Sequence, residues 1–231
     1  MGNKTPGELL AVGSDRSPAR AREDYVKAIY QLGAREPVRA ASLARYLRVS
    51  RVSVSKAKRL LESDGLLEPS RAPSQPLRLS ARGLRLAVAM VRRHRLLETF
   101  LHEALRMPLE RVHAEAERIE HVISDDVALR IAELLGHPRR DPHGHPIPYG
   151  ESTPDREALP TLATLAAGSR ARVASLDDRD DRAVAALCAA GVLPGVSLRV
   201  ERTEPARVVV RRGSRVLSLR RSHAEMVRIG T

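Results

Sequence analysis

Residues 40–64 read AASLARYLRVSRVSVSKAKRLLESD, and their pattern indicates how the first part of the chain folds. A short helix is predicted over residues 40–47, because leucine and alanine recur there at helical spacing. Ser50 closes a tight turn and is a good N-cap for a second helix over residues 51–64. Two short helices joined by such a turn are typical of a helix-turn-helix.

The flanking segments extend this unit to a winged helix-turn-helix. Apolar residues at helical spacing predict a helix over residues 17–33, directly before it. After it, residues 66–69 and 77–79 have the composition of two short strands around a proline-rich tip. The order of helix, short helix, turn, helix and two-stranded wing predicts a protein that binds double-stranded DNA.

Positive charge is concentrated in the same part of the chain, since residues 1–80 carry 15 basic and 8 acidic groups. In a helix-turn-helix, phosphate contacts supply affinity and contacts to base edges supply sequence choice. Aromatic residues make up only 2% of the chain, which argues against a stacking platform for single strands. The alternative is an ordinary solvated helix face. The candidate DNA-contacting residues are Arg45, Arg48, Ser50, Arg51, Ser53, Lys56, Lys58, Arg71 and Arg78.

Two further regions follow the winged unit. The first is mostly helical, with a long helix over residues 81–105 and shorter helices over 109–122 and 124–135. The second changes to alternating and β-branched segments with one short helix, which favours a small SH3-like β-barrel. The predicted fold class is therefore α+β. The predicted domains are residues 1–80 (winged helix-turn-helix), 81–148 (helical domain), 149–160 (linker) and 161–231 (SH3-like barrel).

The composition excludes several classes of protein. The longest run without a charged residue, 183–198, has 16 residues and is interrupted by glycine and proline, so it is too short to span a bilayer. A single cysteine, Cys188, excludes an internal disulfide and a thiolate zinc site. We therefore expect a cytoplasmic protein without a membrane partner.

Histidines and glutamates of the helical region follow a pattern that suits a metal ion. His94 and Glu98 form an i, i+4 pair on the long helix. In the next helix, four potential ligands fall within about a third of the circumference, because successive residues turn by about 100°. These four are His113, Glu117, Glu120 and His121. Carboxylates and imidazoles without sulfur suit Mn²⁺ or Fe²⁺, although the spacing also fits a solvated glutamate and histidine face.

Three stretches carry a family resemblance: EDYVKAIY at 23–30, RRHRLLE at 92–98 and VHAEAERIEHVISD at 112–125. They resemble the diphtheria toxin repressor family of iron- and manganese-dependent regulators. The resemblance runs from about residue 22 to residue 148. It implies that the helical domain binds metal and forms the dimer.

The remaining part of the chain is also similar to this family. The C-terminal region resembles the SH3-like (FeoA-type) domain of its longer members. The segment PHGHPIP at 142–148 resembles the family's proline-rich junction. This similarity implies that His143 and His145 are loop residues rather than ligands.

The resemblance implies two metal sites. Asp24 and Glu117 match ligands that are methionine and cysteine in iron-sensing members but acidic in manganese-sensing ones. The implied primary ligands are Asp24, Glu117, Glu120 and His121. The implied ancillary ligands are His94, Glu98 and His113, completed from the barrel by Asp177 or Asp178.

Lys27 departs from the manganese-type pattern. Two-domain manganese regulators have a glutamate there that helps to form a binuclear site, whereas iron-sensing members have a basic residue. The departure argues against a binuclear cluster and favours two separate sites. Because the implied primary ligands offer only oxygen and nitrogen, Mn²⁺ is the expected ion and Fe²⁺ stays open.

Together these features predict a metal-dependent repressor of metal-homeostasis genes that binds palindromic operator DNA as a homodimer. A metal ion would tie Asp24, on the first helix, to ligands of the helical domain. The first alternative is a metal-independent regulator with vestigial metal sites, in which Lys27 pairs with Asp24 or Glu23. The second is a metallohydrolase, although we expect no enzyme and no small organic substrate. The barrel could also serve mainly to bind the chain's own proline-rich connection.

Overall fold

The computed structural model describes residues 17–34, 36–70, 72, 75–150 and 159–230. The start of the predicted first domain (1–16) and most of the predicted linker (151–158) lie outside these ranges. None of the helices in the described ranges combines the length and the apolarity that crossing a membrane requires. The helices are α1 (Pro18–Gly33), α2 (Ala40–Tyr46), α3 (Arg51–Ser63), α4 (Ala81–Glu103), α5 (Leu109–Ile119), α6 (Asp125–Leu134), α7 (Asp181–Ala190) and α8 (Arg221–Glu225). The strands are β1 (Arg170–Leu176), β2 (Ser197–Thr203), β3 (Arg207–Arg212), β4 (Arg215–Arg220) and β5 (Val227–Gly230).

The helix-turn-helix forms where its local signals predict it. Ser50 caps α3, because its side-chain oxygen accepts a hydrogen bond from the backbone N–H of Ser53 at 3.0 Å. Val26 of α1, Leu43 of α2 and Val54 of α3 are buried in one core. This core fixes α3 in place and leaves its opposite face exposed.

The wing is smaller than the sequence predicts. The predicted strands at 66–69 and 77–79 meet only in an isolated bridge between Leu67 and Leu79. Prolines on both sides of the tip have no N–H to extend the ladder, which limits the pairing. Arg71, a predicted DNA contact at this tip, lies outside the described residues.

The helical domain and the barrel share a core. Val112 of α5, Val184 of α7 and Ile147 of the proline-rich junction are buried together. The backbone of the junction is fixed on β1, because the N–H of Leu176 donates to the carbonyl oxygen of His143 at 2.9 Å. The barrel therefore contacts the chain's own proline-rich segment and is held close to α5.

The C-terminal domain is a five-stranded antiparallel sheet in the order β4-β3-β2-β1-β5. Strands β1 to β4 and helix α7 follow the predicted alternation and turns. The sequence does not predict β5, α8 or a short 3-10 helix at Leu162–Thr164. These elements have five residues or fewer, too few to show a period.

Candidate metal centres

One face of α1 carries a polar stripe that meets the end of α5. Its members recur at i, i+3, i+4 and i+7, which places them on one side of the helix. They are Arg20, Glu23, Asp24 and Lys27. The guanidinium of Arg20 donates to the carbonyl oxygen of Glu117 at 2.9 Å. Helix α5 ends at Ile119, so Glu120 and His121 follow it directly and face this stripe.

Asp24, Glu120 and His121 come together in what we call the first donor group. The Nε2 atom of His121 lies 3.0 Å from Asp24 Oδ1 and 3.4 Å from Glu120 Oε1. Although both oxygens are close, this buried nitrogen meets no hydrogen-bond criterion with any of the described residues. An unpartnered imidazole nitrogen between two carboxylates is the arrangement of ligands that converge on a metal ion.

Glu23 holds the other side of the His121 ring. The Nδ1 atom of His121 donates to Glu23 Oε2 at 2.7 Å. A carboxylate in this position fixes the orientation of the ring and leaves Nε2 to coordinate a metal. Glu23 is absent from the predicted ligand set, and its only sequence signal is its place beside Asp24 on the α1 stripe.

His94, Glu117 and Glu120 form a second donor group, and Lys27 lies among them. The Lys27 ammonium donates to Glu117 Oε1 at 2.6 Å and to the two Glu120 oxygens at 2.8 and 2.9 Å. It also lies 3.2 Å from His94 Nδ1. This pairing differs from the one that the metal-independent alternative predicts, which uses the acidic residues of α1 itself.

Electrostatics keep this cluster charged despite its burial. Burial lowers the pKa of Lys27, but the charges of Glu120 and Glu117 outweigh it and leave the pKa above its usual value. Burial alone would raise the pKa of both glutamates, but the positive charges of Lys27 and His94 outweigh it and hold the pKa of each below its usual range. Burial and Lys27 also lower the pKa of His94, yet Glu98 and Glu120 raise it to about 10.

The predicted ancillary ligands form a third donor group, His94, Glu98, His113 and Asp178. Glu98 is fully buried, and its Oε1 lies 3.0 Å from His94 Nε2 and 3.1 Å from His113 Nδ1. Asp178, from the loop after β1, places Oδ2 at 3.6 Å from His113 Nδ1. This group therefore joins α4, α5 and the barrel.

Of the two acidic residues predicted for this position, Asp177 is directed elsewhere. Its carboxylate accepts hydrogen bonds from the Arg179 guanidinium at 2.7 and 2.6 Å. Arg179 in turn lies over the ring of Tyr46 on α2, with 4.8 Å to the centroid. The loop that carries Asp178 to the donor group thus also contacts the helix-turn-helix.

The proline-rich junction brings the side chain of His143 to this group, although the sequence analysis does not place His143 among the predicted ligands. His143 is fully buried, and its Nδ1 lies 3.6 Å from Glu98 Oε1 and 3.8 Å from Asp178 Oδ2. Glu98, Asp141 and His143 form a fourth donor group. His145 lies beside it, with Nδ1 at 3.3 Å from Asp141 Oδ2. His143 and His145 both lie in a loop, as predicted, and the His143 side chain is buried in this group. That neither histidine is a ligand stays a prediction.

These donor sets fit a divalent cation. In the described residues three atoms of the fourth donor group are buried without a hydrogen-bond partner: Glu98 Oε2, Asp141 Oδ2 and His143 Nδ1. Lone pairs buried in this way require a donor or a cation. All four groups offer carboxylate oxygen and imidazole nitrogen, a set that suits Mn²⁺ or Fe²⁺.

The predicted DNA-contacting residues that the structure describes lie on α2, the turn, α3 and the wing. The exposed ones are Arg45, Arg48, Ser50, Arg51, Ser53, Lys56 and Arg78. Lys58 is only partly exposed, and its ammonium lies 3.7 Å from Glu62. The sequence does not single out Val52, which is 65% exposed at the start of α3 and suits an apolar contact with a thymine methyl group.

Comparisons with known proteins agree with this architecture. Residues 19–72 match the family model "Iron dependent repressor, N-terminal DNA binding domain" and residues 80–149 match "Iron dependent repressor, metal binding and dimerisation domain". Residues 161–230 match the FeoA domain. The iron-dependent repressor IdeR of Mycobacterium tuberculosis is 36% identical over 202 residues, which cover 81% of this chain and 86% of that protein. The chain belongs to the diphtheria toxin repressor family.

Other members of the family are similar over most of the chain. The diphtheria toxin repressor of Corynebacterium glutamicum is 34% identical and covers 84% of this chain and 89% of its own length. A solved manganese-dependent transcriptional repressor in complex with manganese has a TM-score of 0.80 at 32% identity, covering 90% of this chain and 99% of its own. The crystal structure of T. acidophilum IdeR has a TM-score of 0.70 at 29% identity, covering 90% and 97%. As a diphtheria toxin repressor family member, the chain is a metal-dependent transcriptional regulator.

Proposed function

We propose that this regulator binds Mn²⁺ or Fe²⁺ and, as a homodimer, represses metal-homeostasis genes from palindromic operators. The observation that carries the proposal is the first donor group. Asp24 lies on the helix next to the DNA-reading unit, and it faces the unpartnered Nε2 of His121 at the end of α5. A ligand set divided between these two regions couples metal binding to their relative position.

The chain's own contacts explain how such coupling would work. In the α1 stripe, Arg20, Glu23 and Lys27 bond to residues at the end of α5. A divalent ion would attract the carboxylates of Asp24 and Glu120 and coordinate His121. It would therefore stabilise the conformation in which these three side chains lie together. Because the ion binds this state more tightly, operator binding must tighten metal binding by the same factor.

We assign Asp24, Glu117, Glu120 and His121 as the primary ligands. Lys27 also donates hydrogen bonds to the two glutamates. The ancillary ligands are His94, Glu98, His113 and Asp178, and the structure adds Asp141 and His143 as candidates. Mn²⁺ is the preferred ion, because the donor atoms are oxygen and nitrogen. Structural relatives include manganese-dependent repressors, while the IdeR relatives are named iron-dependent.

The operator is double-stranded DNA read by α3. Its exposed start presents Arg51, Val52 and Ser53, and Arg45 of α2 is placed to contact phosphates. We divide the chain as its sequence predicts, into domains at 1–80, 81–148 and 161–231. The relatives are transcriptional repressors, which favours this function over the metallohydrolase alternative.

Operator selection tests this function. Duplexes that bind the protein are selected from random DNA, and their affinity is then measured with Mn²⁺, with anaerobic Fe²⁺ and with chelator. Metal should tighten binding by about 5- to 150-fold, the usual range for coupled sites. Equal affinity in metal and in chelator would contradict the proposal.

The dimer surface lies on α6 and the segment before it. Val122, Val127 and Leu134 are 78%, 43% and 69% exposed, and Val127 and Leu134 are seven residues apart, on one face of α6. Apolar side chains exposed together in this way mark interaction surfaces. Their position within the matched dimerisation segment supports a homodimer through this face.

Replacing Leu134 with glutamate should therefore convert the dimer to a monomer, because each protomer would bury a charge in the interface. Light scattering coupled to size-exclusion chromatography measures the change. Val216→Glu is the matched control, since Val216 is 55% exposed on β4, away from this face. A Leu134→Glu protein that stays dimeric would place the interface elsewhere.

A further inference from the structure

The outer face of the C-terminal sheet carries arginines on each of the strands β1 to β4. Side chains alternate between the two sides of a strand, and the barrel core takes one side, for example Leu198 and Val200 of β2. The residues between these core positions therefore point outward. The outward arginines are all exposed, and we call them the arginine face: Arg170, Arg172, Arg199, Arg207, Arg211 and Arg220.

The register of the strands places these arginines directly opposite one another. Arg199 pairs with Arg170 of β1 and with Arg211 of β3, so three positive charges form one row across three strands. Arg207 and Arg220 likewise oppose each other across β3 and β4. Side chains in such pairs have Cβ atoms about 4.5–5.5 Å apart, and like charges there destabilise a sheet. A bound polyanion would attract all of these charges at once.

Little negative charge within the domain offsets the arginine face. In the strands that the structure describes, Glu201 is the one acidic residue, and it accepts a hydrogen bond from Arg211 at 2.8 Å. Arg170, Arg199 and Arg220 form no salt bridge with any described residue. Four of the seven acidic residues in 161–231 lie within 177–181, the loop and first turn of α7. The positive charge of the domain is therefore concentrated on its sheet.

The chemistry of this face fits the phosphates of a duplex. A guanidinium is always charged, and its fork of N–H donors matches a phosphate. Residues 161–231 contain no phenylalanine, tyrosine or tryptophan, so the domain offers no platform on which unpaired bases could stack. A membrane-binding face needs several apolar side chains. Among the described residues of the barrel, Val216 is the one large apolar side chain that is exposed.

We propose that the arginine face binds the phosphate backbone of duplex DNA, independently of base sequence and of metal. The proposal goes beyond the function proposed above, in which α3 reads an operator in response to metal. Residues 19–72 match a DNA-binding domain, so the helix-turn-helix brings the barrel close to DNA. Contacts between cations and phosphates supply binding that does not depend on sequence and lets a protein slide along DNA. The face would thus keep the metal-free protein on DNA between operators.

The salt dependence of binding to non-operator DNA tests the proposal with the full chain. Fluorescence anisotropy measures the affinity for a labelled duplex of random sequence, in chelator, over a range of salt concentrations. The face variant combines Arg170→Gln, Arg199→Gln and Arg220→Gln. Its slope of log K against log salt concentration should be smaller by about 3, since each phosphate contact contributes about 0.9. Its binding at low salt should be correspondingly weaker.

Two control variants separate a contact surface from net charge. Arg111→Gln, Arg118→Gln and Arg182→Gln together remove the same charge from exposed positions on α5 and α7, and this control variant should keep the natural slope. Lysine at the three positions of the face variant keeps the charge and should also keep the slope. Urea denaturation should show the face variant to be at least as stable as the natural protein, because its substitutions relieve repulsion between like charges.

The outcomes are distinct. A smaller slope in the face variant alone supports the proposal. A natural slope in the face variant overturns it, and so does an equal loss in the face and control variants, which would assign the effect to net charge. Loss of binding to phosphatidylserine vesicles without loss of binding to duplex DNA would assign the face to a membrane and also overturn it. A selected operator that binds equally in metal and in chelator would contradict the proposed function and leave this inference standing.

Discussion

Replacing Glu120 with alanine is expected to abolish the metal response of operator binding. Glu120 is fully buried and belongs to both the first and the second donor groups. Its loss removes a ligand of the proposed primary centre and two of the oxygens that accept hydrogen bonds from Lys27. Loss of a residue that hydrogen-bonds to a metal ligand lowers metal affinity about 10- to 100-fold, so loss of a ligand itself should lower it by at least about 100-fold.

Calorimetry with Mn²⁺ and fluorescence anisotropy with a labelled operator measure the two effects. Glu115→Ala is the matched control, because Glu115 lies on the same helix but pairs with Arg118 outside the donor groups. Glu120→Gln keeps the size of the side chain and separates loss of a ligand from loss of packing. Unchanged Mn²⁺ affinity in both Glu120 variants would remove this residue from the proposed primary site.

Replacing Gly144 with alanine should destabilise the protein and disturb the third and fourth donor groups. Gly144 has a φ of +92°, where a side chain is strained, and an added Cβ would overlap the carbonyl oxygen of Ala174 on β1. The strain costs about 1–2 kcal/mol and the overlap about 1–3 kcal/mol, so the free energy of unfolding should fall by about 2–5 kcal/mol. Relief of the overlap would move the junction, and with it His143, away from Asp178.

Urea denaturation measures the free energy of unfolding, and the number of Mn²⁺ ions bound measures the effect on the proposed ancillary site. Gly150→Ala is an informative control, since Gly150 has a φ of +91° and an added Cβ there meets nothing within 4 Å. It should show the backbone strain alone, about 1–2 kcal/mol. If Gly144→Ala lowers the free energy of unfolding no more than Gly150→Ala does, close packing of the junction on β1 does not contribute to stability.

Local chemistry explains why most helices could be predicted. Ser50 and Ser80 cap α3 and α4 by accepting hydrogen bonds from the backbone N–H groups three residues later, at 3.0 Å each. Caps and the 3.6-residue period act over one or two turns, so a single sequence displays them. The sheet is harder to predict from the sequence. Strand β5 pairs with β1, some fifty residues away, and its four residues by themselves carry no periodic signal.

The candidate site likewise has features that local sequence predicts and features that it does not. Residue types and helical spacing alone predict which side chains share a helix face: the candidate ligands His113, Glu117, Glu120 and His121 on α5 and its end, His94 with Glu98 on α4, and Asp24 on α1. They also determine that the donor atoms are oxygen and nitrogen. These properties depend on residue type and on helical spacing, which are local.

Which of these groups meet depends on how the whole chain packs. Lys27 and Glu120 are 93 residues apart, yet packing brings the ammonium against both carboxylate oxygens. The fold likewise selects Asp178 over Asp177 and turns His143 inward. Such contacts depend on how helices and strands far apart in sequence pack, and no period or cap within a single segment encodes that arrangement.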